Sequence, residues 1–229
     1  YVLLEKLRTL GDLAFPADLA EHSFGSFPAG LGWASVIGPF GVSFVCALTG
    51  AAIDQVVERW PARKQVLPWG AAAAAFWLAP IVTTFVRGDA AAPAGPVLRV
   101  AIVQPSITID DKLQENRFAP VWAKMKQLTL AAAPGADLVL WPETSRPGFA
   151  VLEGGTIADE AVGAIAREAK VPILYGTNIA EVAGGTVIAL YNGAALAEPD
   201  GRITDWYGKQ KLLPFVEGVP FGSFFGWDP

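Results

Sequence analysis

The chain has 229 residues, of which 52% are hydrophobic and 17% charged, and its mean hydropathy is +0.38. A composition this apolar excludes a disordered segment and fits poorly with one ordinary water-soluble domain. The net charge is −5, so the positive field that attracts nucleic acid is absent and we expect no nucleic-acid partner. A single Cys and a single His exclude an internal disulfide and a Cys-cluster zinc site, so we expect no metal site.

The charged residues are unevenly distributed along the chain. Residues 1–96 carry 13 Asp, Glu, Lys and Arg side chains, whereas residues 97–229 carry 26. A stretch rich in Ala, Pro and Gly at 90–96 lies between them and is typical of a linker. The sequence therefore predicts a transmembrane helical region at 1–89 and a water-soluble domain at 97–229.

Two uncharged stretches in the first region are long enough to cross a bilayer, for which a helix needs about 20 residues. We predict membrane spans at 33–53 and 65–86, joined by a loop at 54–64. Pro39 is expected to bend the first span, which membrane helices tolerate. A pair of helices buried in a large soluble core is the alternative, although such helices rarely stay free of charge for so long.

The charges that flank the two spans differ in sign. The connecting loop contains Arg59, Arg63 and Lys64, whereas the opposite flanks hold acidic residues beside Arg87. By the positive-inside tendency the loop is cytoplasmic, so everything after Arg87 lies outside the cytoplasm.

From residue 97 onward, short apolar runs alternate with helical segments. We predict strands at 98–104, 137–141, 171–176, 186–195 and 203–207, and helices at 112–133 and 156–169. Thr156 is expected to cap the second helix. This alternation predicts an α/β layered domain.

Two polar clusters at strand ends are the candidate sites. Glu143 directly follows an apolar strand, where a pocket wall would lower the dielectric and suit its carboxylate to general-base catalysis. The second cluster, at 207–220, places Lys209, Lys211 and Glu217 in an apolar loop. Each pattern alone is more typical of an ordinary loop: a solvated strand-end glutamate in the first case, and surface lysines beside a packed Leu-Leu-Pro-Phe turn in the second.

Taken in order, these segments resemble the apolipoprotein N-acyltransferases, bacterial inner-membrane enzymes whose nitrilase-like domain is inserted among transmembrane helices. The resemblance covers nearly all 229 residues. It rests on two spans around a basic turn, WPET at 141–144, YGT at 175–177, and YGKQKLLPFVEGVP at 207–220. The last run is similar to the family's Tyr-x-Lys-x-x-Leu-Val-Pro-Phe-x-Glu-x-x-Pro signature. The resemblance implies transmembrane helices followed by a nitrilase-like αββα sandwich, which we expect to be incomplete here.

The resemblance also implies a Glu–Lys–Cys triad. Glu143 would be the general base, Lys209 would stabilise the oxyanion, and Glu217 would match a second carboxylate that supports the triad. Asn192 would match a polar residue that lines the family's pocket. Lys211 falls on a variable position and is expected to be a surface residue.

The expected nucleophile, a cysteine well after the KLLPF motif, has no counterpart in these 229 residues. Cys46 lies near the middle of the first predicted span, where an apolar setting disfavours a thiolate. We therefore expect Cys46 to be a packing residue and the chain to be an internal fragment. Earlier helices, the nucleophile strand and a final helix would lie outside it.

The activity implied by the resemblance is acyl transfer in two steps. An acyl chain passes from a phospholipid to the thiol and then to the N-terminal amine of a diacylated apolipoprotein, with no cofactor. The partners are these two substrates and the bilayer, and the catalytic domain would face the periplasm from a multi-pass position in the inner membrane. The alternatives are a nitrilase-type amide or nitrile hydrolase and a non-catalytic membrane scaffold with the same fold.

Overall fold

The computed structural model describes residues 1–15, 19–24, 33–58, 63–87, 95–108, 111–112 and 114–225. The chain divides into two compact units. One comprises Tyr1–Gly95 together with Leu213–Asp228, and the other comprises Pro96–Leu212. We call them the helical unit and the sheet unit.

The helices, in chain order, are α1 Val2–Leu7, α2 Ala34–Glu58, α3 Arg63–Arg87, α4 Phe118–Ala132, α5 Glu160–Ala169 and α6 Gly222–Phe225, with 3-10 turns at Ala20–Phe24 and Glu115–Arg117. The strands are β1 Val100–Ile102, β2 Leu138–Leu140, β3 Phe149–Glu153, β4 Thr156–Ala158, β5 Ile173–Ala183, β6 Thr186–Ala197 and β7 Ile203–Gly208.

Helix α2 is long and apolar enough to cross a membrane, and only 22% of its apolar window is buried within this chain. In α3 the described apolar stretch is the shorter segment Leu67–Val82. Both predicted spans, 33–53 and 65–86, thus fall on helices apart from the turn residue Trp33. That they cross a bilayer stays a prediction. The predicted 54–64 loop is wrong at both ends, because residues 54–58 belong to α2 and residues 63–64 to α3, whereas residues 59–62 lie outside the described part.

Indole groups join α2 to α3. The Nε1 of Trp33 donates to the Phe76 carbonyl at 2.8 Å, and the Nε1 of Trp77 donates to the Thr49 hydroxyl at 2.8 Å. Such bonds satisfy polar groups on otherwise apolar helices. Helix α2 is kinked at Gly38, whose φ of 67° is non-helical, immediately before the proline that was expected to bend it.

The seven strands of the sheet unit form one mixed sheet, which confirms the predicted α/β class. Strands β1, β2 and β5 run parallel, β6 pairs antiparallel with β5, and β7 pairs antiparallel with β6. Strand β3 is parallel to β5 and pairs with β4 as a hairpin. Residues on four adjacent strands are paired directly across the sheet, in the order Ile102, Leu140, Leu174 and Leu196.

Helices α4 and α5 supply the buried residues that pack with one face of this sheet. The core combines Val121 and Met125 of α4 with Val139, Ile173 and Tyr175 of the strands, each at most 6% exposed. On the opposite face Ile102 is 75% exposed and Tyr207 58%. The described residues therefore form one sheet and one helical layer of the predicted αββα sandwich.

The predicted helix at 156–169 is wrong at its start. Thr156–Ala158 forms β4, because Gly154 and Gly155 take positive φ values and turn the chain back onto β3. Helix α5 begins at Glu160, and Asp159 caps it by accepting the N–H of Val162. The predicted helix at 112–133 becomes regular only at Phe118.

Candidate active site

Glu143 lies where parallel pairing along β5 is interrupted. Strands β2 and β3 both pair with the same edge of β5, β2 at its beginning and β3 from Asn178 onward. Between them the chain bulges out of the sheet and returns where Ser145 N–H donates to the Gly176 carbonyl at 3.1 Å. This bulge, residues 142–147, is called the Glu143 loop below.

Gly176 allows the Glu143 loop to approach β5 closely. A Cβ atom at position 176 would lie 2.5 Å from the Pro142 carbonyl oxygen and 2.6 Å from the Glu143 Cα atom. Real Cβ atoms do not approach backbone atoms this closely. Any larger residue would therefore displace the backbone that carries Glu143.

The Glu143 carboxylate meets two of the predicted site residues. The Asn192 Nδ2 donates to its Oε1 at 2.7 Å, and the Lys209 Nζ lies 3.4 Å from the same oxygen. Three segments thus converge, because Asn192 lies within β6 and Lys209 directly follows β7. The Lys209 N–H also donates to the Asn192 carbonyl at 2.8 Å, which continues the β6–β7 ladder.

These side chains open onto a cavity of about 380 Å³. Its apolar wall includes Trp141, Leu174 and Tyr207. The Glu143 side chain is nevertheless 61% exposed and that of Lys209 37%. The low-dielectric pocket expected around Glu143 is therefore not formed by the residues that the structure describes.

Glu217 belongs to the segment that groups with the helical unit. Its Oε2 accepts the Leu213 N–H at 2.7 Å, and the Phe215 N–H donates to the Gly218 carbonyl at 2.9 Å. Glu217 thereby holds a tight turn of its own loop. Its support of a triad stays a prediction.

Cys46, the sequence's single cysteine, lies half-buried within α2. That position agrees with a packing role in an apolar helix. Over the ranges that the structure describes, no group of three or more His, Cys, Asp and Glu side chains is arranged to hold a metal ion.

Sequence reasoning missed three groups that support Glu143. Lys112 donates from its Nζ to the Glu143 carbonyl at 3.3 Å, Gly176 backs the loop, and Arg146 anchors its end. Gly176 lies inside the YGT run at 175–177, one of the segments that carry the resemblance, so the sequence held a usable signal for it. No sequence pattern pointed to Lys112, because it contacts a residue that lies 31 positions away in the chain.

The family model for carbon–nitrogen hydrolases matches residues 99–225, more than half of the chain. The chain therefore belongs to the carbon–nitrogen hydrolase family. The match begins just before β1 and includes the Glu143 loop, β6 and Lys209.

Within that class the chain is similar to curated apolipoprotein N-acyltransferases. It is 31% identical to that of Pseudomonas syringae pv. tomato and 32% to that of Azotobacter vinelandii, in each case over 82% of the chain. It is 24% identical to apolipoprotein N-acyltransferase 2 of Treponema pallidum over 97% of the chain. The chain spans 36%, 35% and 45% of these relatives' lengths, respectively.

Among solved structures, an N-terminal amidase in complex with a Gln-Val peptide matches 49% of the chain and 28% of its own. The identity is 19% and the TM-score 0.35, which is too distant to support a conclusion about function.

Proposed function

We propose that this chain contributes the general base and the oxyanion-stabilising cation of an apolipoprotein N-acyltransferase. The observation that carries the proposal is the convergence of Asn192 and Lys209 on one oxygen of Glu143, at 2.7 and 3.4 Å. A carboxylate beside a lysine, in the family of carbon–nitrogen hydrolases, suits acyl transfer through a covalent intermediate. The similarity to curated acyltransferases supports this choice of reaction.

In the first step a thiol, which the resemblance assigns to a cysteine other than Cys46, loses its proton to Glu143. The thiolate attacks the carbonyl carbon of the sn-1 ester of a phospholipid, and Lys209 stabilises the negative oxygen of the tetrahedral intermediate. When that intermediate collapses, the C–O bond breaks, the lysophospholipid oxygen takes the proton from Glu143, and a thioester remains.

In the second step the N-terminal amine of a diacylated apolipoprotein attacks the thioester carbonyl. The C–N bond forms and the C–S bond breaks, while Glu143 transfers the proton from the amine to the leaving sulfur. Because Asn192 and Lys209 both meet Oε1, the second carboxylate oxygen is available to carry the proton. Both steps use the same base and the same cation.

A membrane location suits this reaction, since both substrates keep acyl chains in the bilayer. Helix α2 has the length and apolar character of a span. We propose that α2 and α3 are two spans of a multi-pass protein of the bacterial inner membrane. The sheet unit would then lie on the periplasmic side, as the basic residues of the 54–64 loop predict.

The test uses the protein expressed from its complete gene, in vesicles of phosphatidylethanolamine and phosphatidylglycerol with a diacylglyceryl-cysteine lipopeptide. The wild-type protein should accumulate a thioester when the lipopeptide is omitted and transfer the acyl chain when it is added. Glu143→Gln and Lys209→Met should each lower the transfer rate at least ~100-fold. Lys211→Met is the matched control, because Lys211 is an exposed lysine two residues from Lys209.

Full transfer by Glu143→Gln or Lys209→Met would contradict the assigned roles. If the protein hydrolyses an added simple amide or nitrile, with release of ammonia, and transfers nothing to the lipopeptide, the amide or nitrile hydrolase would be favoured. If the wild-type protein formed no thioester and neither transferred nor hydrolysed an acyl group, the non-catalytic scaffold would replace the enzyme.

A further inference from the structure

A buried ion pair lies at the end of the Glu143 loop. The Arg146 Nε donates to the Asp159 Oδ2 at 2.8 Å and its Nη2 to the Oδ1 at 3.3 Å. The Arg146 side chain is 14% exposed and the Asp159 side chain 0%. Such burial removes both groups from water, so the pair is held by its geometry and its further hydrogen bonds.

The remaining contacts of Arg146 bind the loop itself. Its Nη1 donates to the Pro147 carbonyl at 2.6 Å, and its guanidinium lies 5.4 Å from the Trp122 ring centroid. Trp122 packs edge-on against Trp141, with ring centroids 6.4 Å apart, and Trp141 directly precedes the loop. Both ends of the loop are therefore fixed by the same packed group.

Asp159 connects this group to helix α5. Its Oδ1 accepts the Val162 N–H at 3.3 Å, which caps the helix. Its carboxylate also lies beside Tyr175, where burial, and then the negative charge of Asp159, raise the pKa of the tyrosine hydroxyl. The pair thus ties the loop to the beginning of α5, next to Tyr175 near the start of β5.

We propose that the Arg146–Asp159 pair is a positioning device that holds the Glu143 carboxylate at Asn192 and Lys209. Arg146 lies three residues from Glu143 and fixes the loop on the side opposite Trp141. Glu143 itself is exposed, so the described packing around its own side chain does not orient it. The backbone position that brings this carboxylate to Asn192 and Lys209 comes instead from the buried ends of the loop. This inference rests on the proposed function, since it assigns a role in delivering the base.

The test separates positioning from stability by comparing Arg146→Met with the double variant Arg146→Met/Asp159→Asn. The single variant leaves a buried carboxylate without its cation and should lower the unfolding temperature. The double variant removes both charges, and asparagine can still cap α5, so the unfolding temperature should largely recover. Neither variant retains the guanidinium that holds the loop.

We expect both variants to lower kcat for transfer about 10- to 100-fold with KM within twofold, because small displacements of a catalytic group have effects of this size. All rates are measured in the vesicle assay above, below each variant's unfolding temperature. Arg202→Met is the matched control, since it breaks an Arg–Asp pair that is 76% exposed at the arginine. Its kcat should equal that of the wild type.

Recovery of wild-type kcat in the double variant would overturn the proposal and leave the pair with a stabilising role alone. A rise in KM at constant kcat would overturn it too. If Arg146→Met does not fold, the kcat of the double variant alone tests the proposal. An inactive wild-type protein would remove the proposed function and this inference together, whereas inactive Glu143→Gln beside a fully active double variant removes only this inference.

Discussion

Glu143 and its partners come from positions far apart in the chain. Lys209 is 66 residues from Glu143 and Asn192 is 49, yet both meet one carboxylate oxygen. The sequence predicted both residues through their resemblance to family motifs. Their shared contact with Oε1 depends on the register between β6 and β7, which places the Lys209 N–H on the Asn192 carbonyl.

Asn192→Ala tests whether the amide orients the base. Loss of the 2.7 Å hydrogen bond leaves Lys209 as the remaining partner of Oε1 and frees the carboxylate to rotate. We expect kcat for acyl transfer to fall about 10-fold, in line with the loss of a charge-assisted hydrogen bond. Asn116→Ala, at an exposed site in the 3-10 turn before α4, is the control. Equal kcat values for the two variants would contradict this role.

At the scale of elements, the site depends on two strands that share one edge of β5. The predicted strands near 137–141 and 171–176 were confirmed in position, but β3 was missed and β5 extends to Ala183. Short apolar runs indicate strands without indicating which edges they occupy. The break between β2 and β3 that creates the Glu143 loop therefore could not be predicted.

Gly176→Ala should disturb this loop directly. Its Cβ would meet the Glu143 Cα and the Pro142 oxygen below 3 Å, so the loop backbone must move. We expect the free energy of unfolding to fall by about 1–3 kcal/mol and kcat to fall at least ~10-fold. The free energy of unfolding is measured by thermal unfolding, and kcat is measured in the vesicle assay. Gly70→Ala in α3, where a Cβ meets nothing within 4 Å, should leave kcat unchanged and should not lower the free energy of unfolding, because alanine favours a helix over glycine. Wild-type kcat in Gly176→Ala would refute the argument.

A buried hydrogen bond joins α4 to β2 beneath the site. The Trp141 Nε1 donates to the Thr129 hydroxyl at 2.9 Å, and that hydroxyl donates to the Met125 carbonyl at 2.7 Å. Thr129→Val preserves the shape and leaves the indole N–H buried without this acceptor.

We expect Thr129→Val to lower the free energy of unfolding by about 1–3 kcal/mol, measured from thermal unfolding midpoints. Adding Trp141→Phe to Thr129→Val should cost less than the sum of the single changes, because the donor is then gone as well. Thr186→Val, at an exposed position where β6 begins, is the control. An unchanged midpoint in Thr129→Val would show that the bond adds nothing.

At the scale of the whole molecule, the chain combines an apolar helical unit with a sheet unit that carries Glu143 and Lys209. The contrast in charge between residues 1–96 and 97–229 predicted this organisation. The structure assigns Leu213–Asp228 to the helical unit, although these residues are continuous in sequence with the Lys209 motif. Composition cannot predict that assignment, because the segment is as apolar as a strand or a membrane-facing loop.

Cysteine labelling tests the proposed topology. In a Cys46→Ala background, Glu153→Cys on the β3–β4 hairpin should react with a membrane-impermeant maleimide in intact spheroplasts. Glu58→Cys at the end of α2 should react only after lysis, because the 54–64 loop is predicted to be cytoplasmic. Both positions are exposed, so access depends on the membrane. The reverse labelling pattern would place the sheet unit in the cytoplasm.

The sequence by itself determined the class of the fold, the apolar helices, and Glu143 and Lys209 as candidate base and cation. The fold class and the apolar helices follow from composition and periodicity, which are properties of neighbouring residues. The two candidate roles follow from the resemblance of contiguous motifs to a known family. Only the tertiary structure decided that Gly176 backs the Glu143 loop and that Arg146 pairs with Asp159 below it. Both contacts arise because β2 and β3 meet the same edge of β5, and long-range pairing of this kind leaves no periodic signal in the chain.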